Sequence, residues 1–182
     1  MTSIATRVAP NERKAVTLAF VCNFVLLGSY YILRPLRDTI ATIFGAGQLQ
    51  NLFTATFVGT FVASAIYAAV ASRVRLTRLL PGVFWFWLCN LVVFDVLFRL
   101  RPDNHGLGAA YFIWFSVTNL FMISVFWSLM VDVFSAEQAT RLFPLIAAGG
   151  ALGAIVGPLL MRLLVGKLGL SGMLLVIAAG FL

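Results

Sequence analysis

The sequence predicts an all-α membrane protein whose helices cross the bilayer several times. Of its 182 residues, 62% are hydrophobic and only 10% are charged, and the mean hydropathy is +1.01. A typical soluble domain carries about 25% charged residues, so the composition excludes an ordinary soluble protein. The apolar runs reach about 20 residues, which suits spanning helices, and they lack the regular alternation of apolar and polar residues that barrel strands show.

Six apolar segments follow a short N-terminal segment, residues 1–14, and together they make 15–182 the transmembrane region. Polar or basic stretches separate them. The segments lie at about 15–44, 50–72, 79–98, 107–134, 142–165 and 172–182. The last one holds 11 residues, whereas a span needs about 17–25. We therefore expect the sixth helix to be truncated and Leu182 not to be a natural terminus.

The basic residues predict the orientation of these segments. The net charge is +7, but the basic residues lie mainly at segment ends and form no aromatic and basic face, so nucleic acid is not an expected partner. An excess of basic residues in short loops marks the cytoplasmic side. Seven lie on the side of the N-terminus: Arg7, Arg13, Lys14, Arg73, Arg75, Arg78 and Arg141. The other side has Arg99, Arg101 and Lys167, with Arg162 near a segment end. The N-terminus is therefore predicted to be cytoplasmic.

Residues that carry enzyme chemistry do not form a pattern in this sequence. Cys22 and Cys89 lie inside apolar segments, where we expect them to be small core residues. The sequence contains no nucleophile and base pair, no metal-ligand spacing and no phosphate-binding loop. We predict no enzymatic activity, no metal and no cofactor.

The stretch RPLRD at 34–38 is the most unusual part of the chain, because it puts three charges and a proline inside an apolar segment. A charge at the centre of a bilayer costs about 2.5–3.5 kcal/mol, so such groups persist where they face a protein interior or a water-filled path. Arg34, Arg37 and Asp38 share one helix face at i, i+3 and i+4. Tyr30 lies on that face one turn earlier. We interpret the face as an anion-binding site in which Arg37 is the main substrate contact, since Arg34 can pair with Asp38. The alternatives are a structural ion-pair network and arginines that snorkel to the interface.

Polar residues of the fourth segment and the turn after it form a second set. Asn119 is the one that we expect to contact the transport cavity. Asp132, Glu137 and Arg141 surround the end of this segment, either as a gating network or as solvated loop charges.

Proline and glycine mark two further features. Pro35 removes a helical hydrogen bond, so the first helix should bend or open beside the charged cluster. Gly149, Gly153 and Gly157 recur every four residues with Pro158 after them, and small residues at this spacing allow two helices to approach closely.

Two of these stretches resemble the ATP:ADP antiporter family, the nucleotide transporters of plastids and intracellular bacteria and their free-living bacterial relatives. The stretch SYYILRPLRD at 29–38 is similar to the first-helix signature of the family. The stretch from Phe126 through EQATRLFPL at 137–145 to Gly149 is similar to its fourth-to-fifth-helix signature. The resemblance implies a major-facilitator-like fold of two six-helix halves, of which this chain is the N-terminal one, in a bacterial inner membrane.

The resemblance also implies that nucleotides are exchanged and that Arg37 occupies the position of a basic substrate residue, which is more usually lysine. Nucleotide carriers have an acidic residue in the middle of the fourth span, and this chain has none between Tyr111 and Met130. We therefore predict an antiporter of an organic anion, with nucleotides and other anions both open. Its partners would be that anion, the bilayer and the missing C-terminal half. A transporter of another small solute and a membrane-embedded structural or regulatory protein are the alternatives.

Overall fold

In the computed structural model the described residues, 8–71, 73, 76–101 and 104–181, form helices and short turns, with no strand among them. For residues 71, 76–80, 164, 165 and 167–181 only the backbone is described. The helices are α1 (Arg13–Ala71), α2 (Leu76–Leu100), α3 (His105–Val133) and α4 (Ala136–Phe181). Four stretches within them are long and apolar enough to span a membrane. The regular structure of the described residues is therefore all-helical, as the composition predicts.

Helix α1 contains the first two apolar segments, joined at a single residue. Gly45 has φ 68° and ψ 172°, the one non-helical conformation within this helix. It divides α1 into an N-terminal arm, 13–44, and a C-terminal arm, 46–71. The break follows directly on the predicted end of the first segment at 44, and the helix resumes at once because a glycine with positive φ turns the chain in one step.

Gly45 gives a testable prediction about the stability of this junction. A side chain at such a backbone conformation costs about 1–3 kcal/mol, so Gly45→Ala should lower the unfolding temperature in detergent. Gly47→Ala is the matched control, because Gly47 is helical and nothing lies within 4 Å of an added Cβ. We expect the control to be neutral or slightly stabilising. Equal unfolding temperatures for Gly45→Ala and the parent would contradict this account of the junction.

The N-terminal arm does not open at Pro35. Its φ and ψ angles stay helical through this residue. One turn later, the hydroxyl of Thr39 donates to the carbonyl of Pro35 at 2.9 Å. The helix therefore does not open beside the charged cluster, whereas the bend expected there stays a prediction. The break lies ten residues later, where a glycine can adopt positive φ.

Helix α4 joins the fifth and sixth predicted segments into one helix of 46 residues. The helix has no break at the boundary expected between 165 and 172, and that boundary stays a prediction. The glycines there weaken a helix by about 1 kcal/mol each, but the stretch lacks a proline or a residue with positive φ that would end it. The described residues thus form four helices, and the six-helix bundle stays a prediction. Helices α2 and α3 begin and end within three residues of the third and fourth predicted segments.

The N-terminal arm of α1 lies at the centre of the fold, against α3 on one side and α4 on the other. Aromatic side chains dominate the contact with α3: Phe112, Phe115 and Phe126 are almost fully buried. Glycines dominate the contact with α4. The C-terminal arm also packs on α3, where Phe53 meets Phe112 edge to face at 5.8 Å. The charged cluster of α1 is therefore held beside α3 by packing on both sides.

The three glycines of α4 lie against the backbone of the N-terminal arm. A Cβ added at Gly157 would lie 2.6 Å from the carbonyl oxygen of Gly28. Added Cβ atoms at Gly149 and Gly153 would collide with the carbonyl oxygens of Phe20 and Phe24. The spacing of these glycines predicted a close contact with another helix. That helix is α1, where Phe20, Phe24 and Gly28 follow the same four-residue spacing.

Candidate functional site

Arg37 reaches from α1 into the contact with α3. Its Nε donates to the hydroxyl of Ser116 at 2.7 Å, and that hydroxyl donates to the carbonyl of Phe112, also at 2.7 Å. The guanidinium carbon lies 4.2 Å from the centre of the Phe112 ring, within the range of a cation–π contact. The side chain is 19% exposed. Arg37 is therefore oriented by α3 at two points, and its outer edge stays open.

Asp38 is shared by both arginines of the cluster. Its Oδ2 lies 3.4 Å from Nε of Arg34, and its Oδ1 lies 3.3 Å from Nη1 of Arg37. The pair of Arg34 with Asp38 matches the i, i+4 spacing. Arg37 has no acid four residues away on its own helix, but the carboxylate of the adjacent Asp38 reaches it. One carboxylate thus balances two guanidinium groups, and one positive charge remains.

Several guanidinium nitrogens of this cluster point away from protein acceptors. Within the described part of the chain, no hydrogen bond is made by Nη2 of Arg37 or by either Nη of Arg34. The side chains of Arg34 and Asp38 are about half exposed. A planar guanidinium presents paired N–H donors that match a carboxylate or phosphate. The cluster can therefore accept an anion at its exposed edge.

Tyr30 belongs to a stack of three aromatic rings beneath the cluster. Its ring is parallel to that of Phe115 at 5.3 Å, and Phe115 is parallel to Tyr111 at 5.5 Å. Tyr31 lies edge-on to Tyr30, and the guanidinium carbon of Arg34 lies 5.5 Å from the Tyr31 ring. Tyr30 thus packs against α3 next to the site. Helix periodicity alone did not predict this packing role.

Asn119 lies one helical turn beyond Ser116 on α3 and is half-buried. It makes no side-chain hydrogen bond within the described residues, so its amide is open to a ligand or water. Asn23, by contrast, is buried and donates to the carbonyl of Ile146 at 3.0 Å. That contact joins α1 to α4.

A second polar cluster joins the N-terminal end of α1 to the start of α4. Glu12 Oε1 accepts from Nε2 of Gln138 at 2.8 Å and from Nη2 of Arg141 at 3.0 Å. Its Oε2 accepts from the backbone N–H of Ala9 at 3.0 Å. We call Glu12, Gln138 and Arg141 the Glu12 cluster. Gln138 also caps α4, since its Oε1 accepts from the N–H of Ser135 at 3.0 Å, as in a capping box.

The Glu12 cluster differs from the gating network expected at this turn. Asp132 and Glu137 are exposed, and neither forms an ion pair within the described part of the chain. Arg141 pairs instead with Glu12, an acid that sequence reasoning had not singled out. Pro158 is exposed on α4. The SxxQ spacing of a capping box at 135–138 was the one local signal that could have drawn attention to Gln138.

The pKa of Glu12 is lowered below its ordinary value, chiefly by the hydrogen bond from Gln138, then by the N–H of Ala9 and the charge of Arg141. A carboxylate whose folded pKa is depressed stabilises the fold above its unfolded pKa, about 4.3, and this stabilisation is lost as the pH falls through the folded pKa. Glu12→Gln should therefore unfold at a lower temperature than the parent at pH 7. The difference should shrink below about pH 4. A difference that stays constant from pH 7 to pH 3 would contradict this assignment.

The chain was compared with protein-family models, curated proteins and solved structures, and none of them matches it.

Proposed function

We propose that the protein is a secondary transporter, an antiporter that exchanges an organic anion by alternating access. In this proposal the chain is the N-terminal six-helix half of a major-facilitator-type transporter in a bacterial inner membrane, with its N-terminus in the cytoplasm. Nucleotides such as ATP and ADP are the first anions to test. The resemblance at 29–38 and 126–149 supports this choice, and the arginine site supports the charge of the solute.

The observation that most directly supports this proposal is the arginine pair on the N-terminal arm of α1. Two guanidinium groups share the carboxylate of Asp38, and Arg37 is held against Ser116 and Phe112 with its Nη2 free of protein acceptors in the described residues. The cluster keeps one net positive charge, and a buried charge that is not fully compensated is unfavourable by several kcal/mol. A scaffold that only fills the membrane needs no such group. A site that takes up and releases an anion does, because the anion completes the charge balance.

Alternating access would follow from the position of this site. Substrates of such transporters bind near the middle of the membrane between two halves, which rock around the site. The exposed edge of Arg34, Arg37 and Asp38 would form one wall, and the C-terminal half would supply the other. Asn119, one turn from Ser116, would add a neutral amide contact on the same wall.

Exchange across proteoliposomes tests this proposal. The full-length protein is reconstituted, the vesicles are loaded with ADP, with malate or with buffer, and uptake of labelled ATP or malate is followed. An antiporter should take up label only when the vesicles contain an exchangeable anion. Neutral sugars serve as the control solute. Uptake of malate but not of ATP would support exchange of organic anions and would contradict exchange of nucleotides. No counter-anion dependence with any solute would contradict antiport.

A further inference from the structure

A large apolar cavity lies between the C-terminal arm of α1, α2 and α3, apart from the arginine site. Its volume is about 510 Å³, whereas packed protein interiors contain few voids larger than a water molecule. Apolar and aromatic side chains form nearly all of its lining, with hydroxyl groups only on Tyr67 and Thr118. The Thr118 hydroxyl already donates to the carbonyl of Trp114. A ligand that fills this space must therefore be largely hydrocarbon.

The cavity opens on the outer apolar surface of the helices. Ile66 and Phe86 line it and are 60% and 55% exposed. Both lie in helices that are long and apolar enough to span a membrane. In a bilayer the medium against such a surface is lipid acyl chain, so hydrocarbon reaches the opening without crossing water.

A basic residue, Arg73, follows α1 at one end of this cavity. Val70 is the lining residue nearest the end of α1, and the N–H of Arg73 donates to its carbonyl at 3.0 Å. Arg73 itself is exposed. Basic residues just outside a spanning helix attract the headgroups of anionic lipids. The apolar cavity and Arg73 are thus about one helical turn apart. This arrangement matches a phospholipid, in which an apolar acyl chain is joined to a negatively charged phosphate.

We propose that this cavity binds one anionic phospholipid, with an acyl chain between the C-terminal arm of α1 and helices α2 and α3, and with its phosphate at Arg73. The proposal is independent of the anion transport site, which lies on the N-terminal arm. A bound acyl chain would fill the gap between these helices and so stabilise their packing.

Gly82 gives a direct test, because it lines the cavity and nothing lies within 4 Å of an added Cβ. Native mass spectrometry of the detergent-purified protein should detect one retained phosphatidylglycerol in preference to phosphatidylcholine with the same chains. Gly82→Phe should abolish this retention. Arg73→Gln should weaken it about fivefold, the effect of one basic residue on an anionic headgroup. The matched controls, Gly47→Phe and Arg101→Gln, should retain the lipid as the parent does.

Tryptophan quenching tests the site without altering the cavity. Trp87 and Trp114 line it, whereas Trp85 and Trp127 do not, so the double variant Trp85→Phe, Trp127→Phe leaves the two reporters. Brominated phosphatidylglycerol should quench them with saturation near one lipid per protein, and brominated phosphatidylcholine should compete poorly. Equal retention of both lipids, unchanged retention in Gly82→Phe, or quenching that never saturates would overturn the proposal. So would a dimer that shields these tryptophans from lipid.

Discussion

Replacing Arg37 by alanine should reduce anion exchange by the reconstituted full-length protein to near background. A hydrogen bond to a charged group contributes about 1.5–3 kcal/mol, which corresponds to about 10- to 150-fold in binding. The change also leaves the Ser116 hydroxyl without the donor that lies at 2.7 Å. Uptake of labelled nucleotide and of labelled organic anion measures the effect, with membrane insertion checked by immunoblot.

Two further variants show whether anion exchange depends on the charge of Arg37 or on the paired N–H donors of its guanidinium group. Arg37→Lys keeps the charge but loses the paired N–H donors, so activity should fall only in part. Arg13→Ala is the matched control, because Arg13 is exposed at the start of α1, 21 residues before Arg34 on the same helix. It should exchange anions as the parent does. If Arg37→Ala transported every solute as well as the parent, the assignment of the central residue would be wrong.

Replacing Gly153 by leucine should destabilise the protein more than any other single change on α4 that we consider. Added bulk in a packed interface costs about 1–3 kcal/mol. We expect the upper end of that range or more, since the atoms opposite are backbone: the carbonyl of Phe24 and the nitrogen of Gly28, the latter 2.8 Å from an added Cβ. The two helices would have to separate. Thermal unfolding and gel filtration in detergent measure the outcome.

Gly166→Leu is the control for this change. Gly166 lies on the same helix, and nothing lies within 4 Å of an added Cβ there. The same volume should therefore be tolerated. Unchanged unfolding and unchanged exchange in Gly153→Leu would show that the close approach of α1 and α4 is not required.

Local spacing explains which parts of the site the sequence predicted. Arg34 and Asp38 are one helical turn apart, so their pairing follows from helix geometry. The i, i+4 pair of Asp95 with Arg99, at 3.0 Å, is of the same kind. The glycine face of α4 also follows from a four-residue period. Such features need no knowledge of which helices are neighbours.

Contacts between distant segments could not be predicted in this way. Ser116 is 79 residues from Arg37, and Gln138 is 126 residues from Glu12. The sequence around each of these residues does not predict that their side chains are in contact. Only the packing of α1 on α3 and α4 brings them together. Glu12 was overlooked because an acid before a spanning segment is usually solvated. The continuity of α4 through 165–172 could not be predicted either, because glycine can end a helix or continue it.

The 126-residue separation within the Glu12 cluster also sets an order of events during synthesis. At about 5–20 residues per second, about 6–25 s pass between the emergence of Glu12 and that of Gln138. During this interval the carboxylate has neither of its two side-chain partners. The contacts that fix the N-terminal end of α1 to α4 therefore form only after the start of α4 has been synthesised.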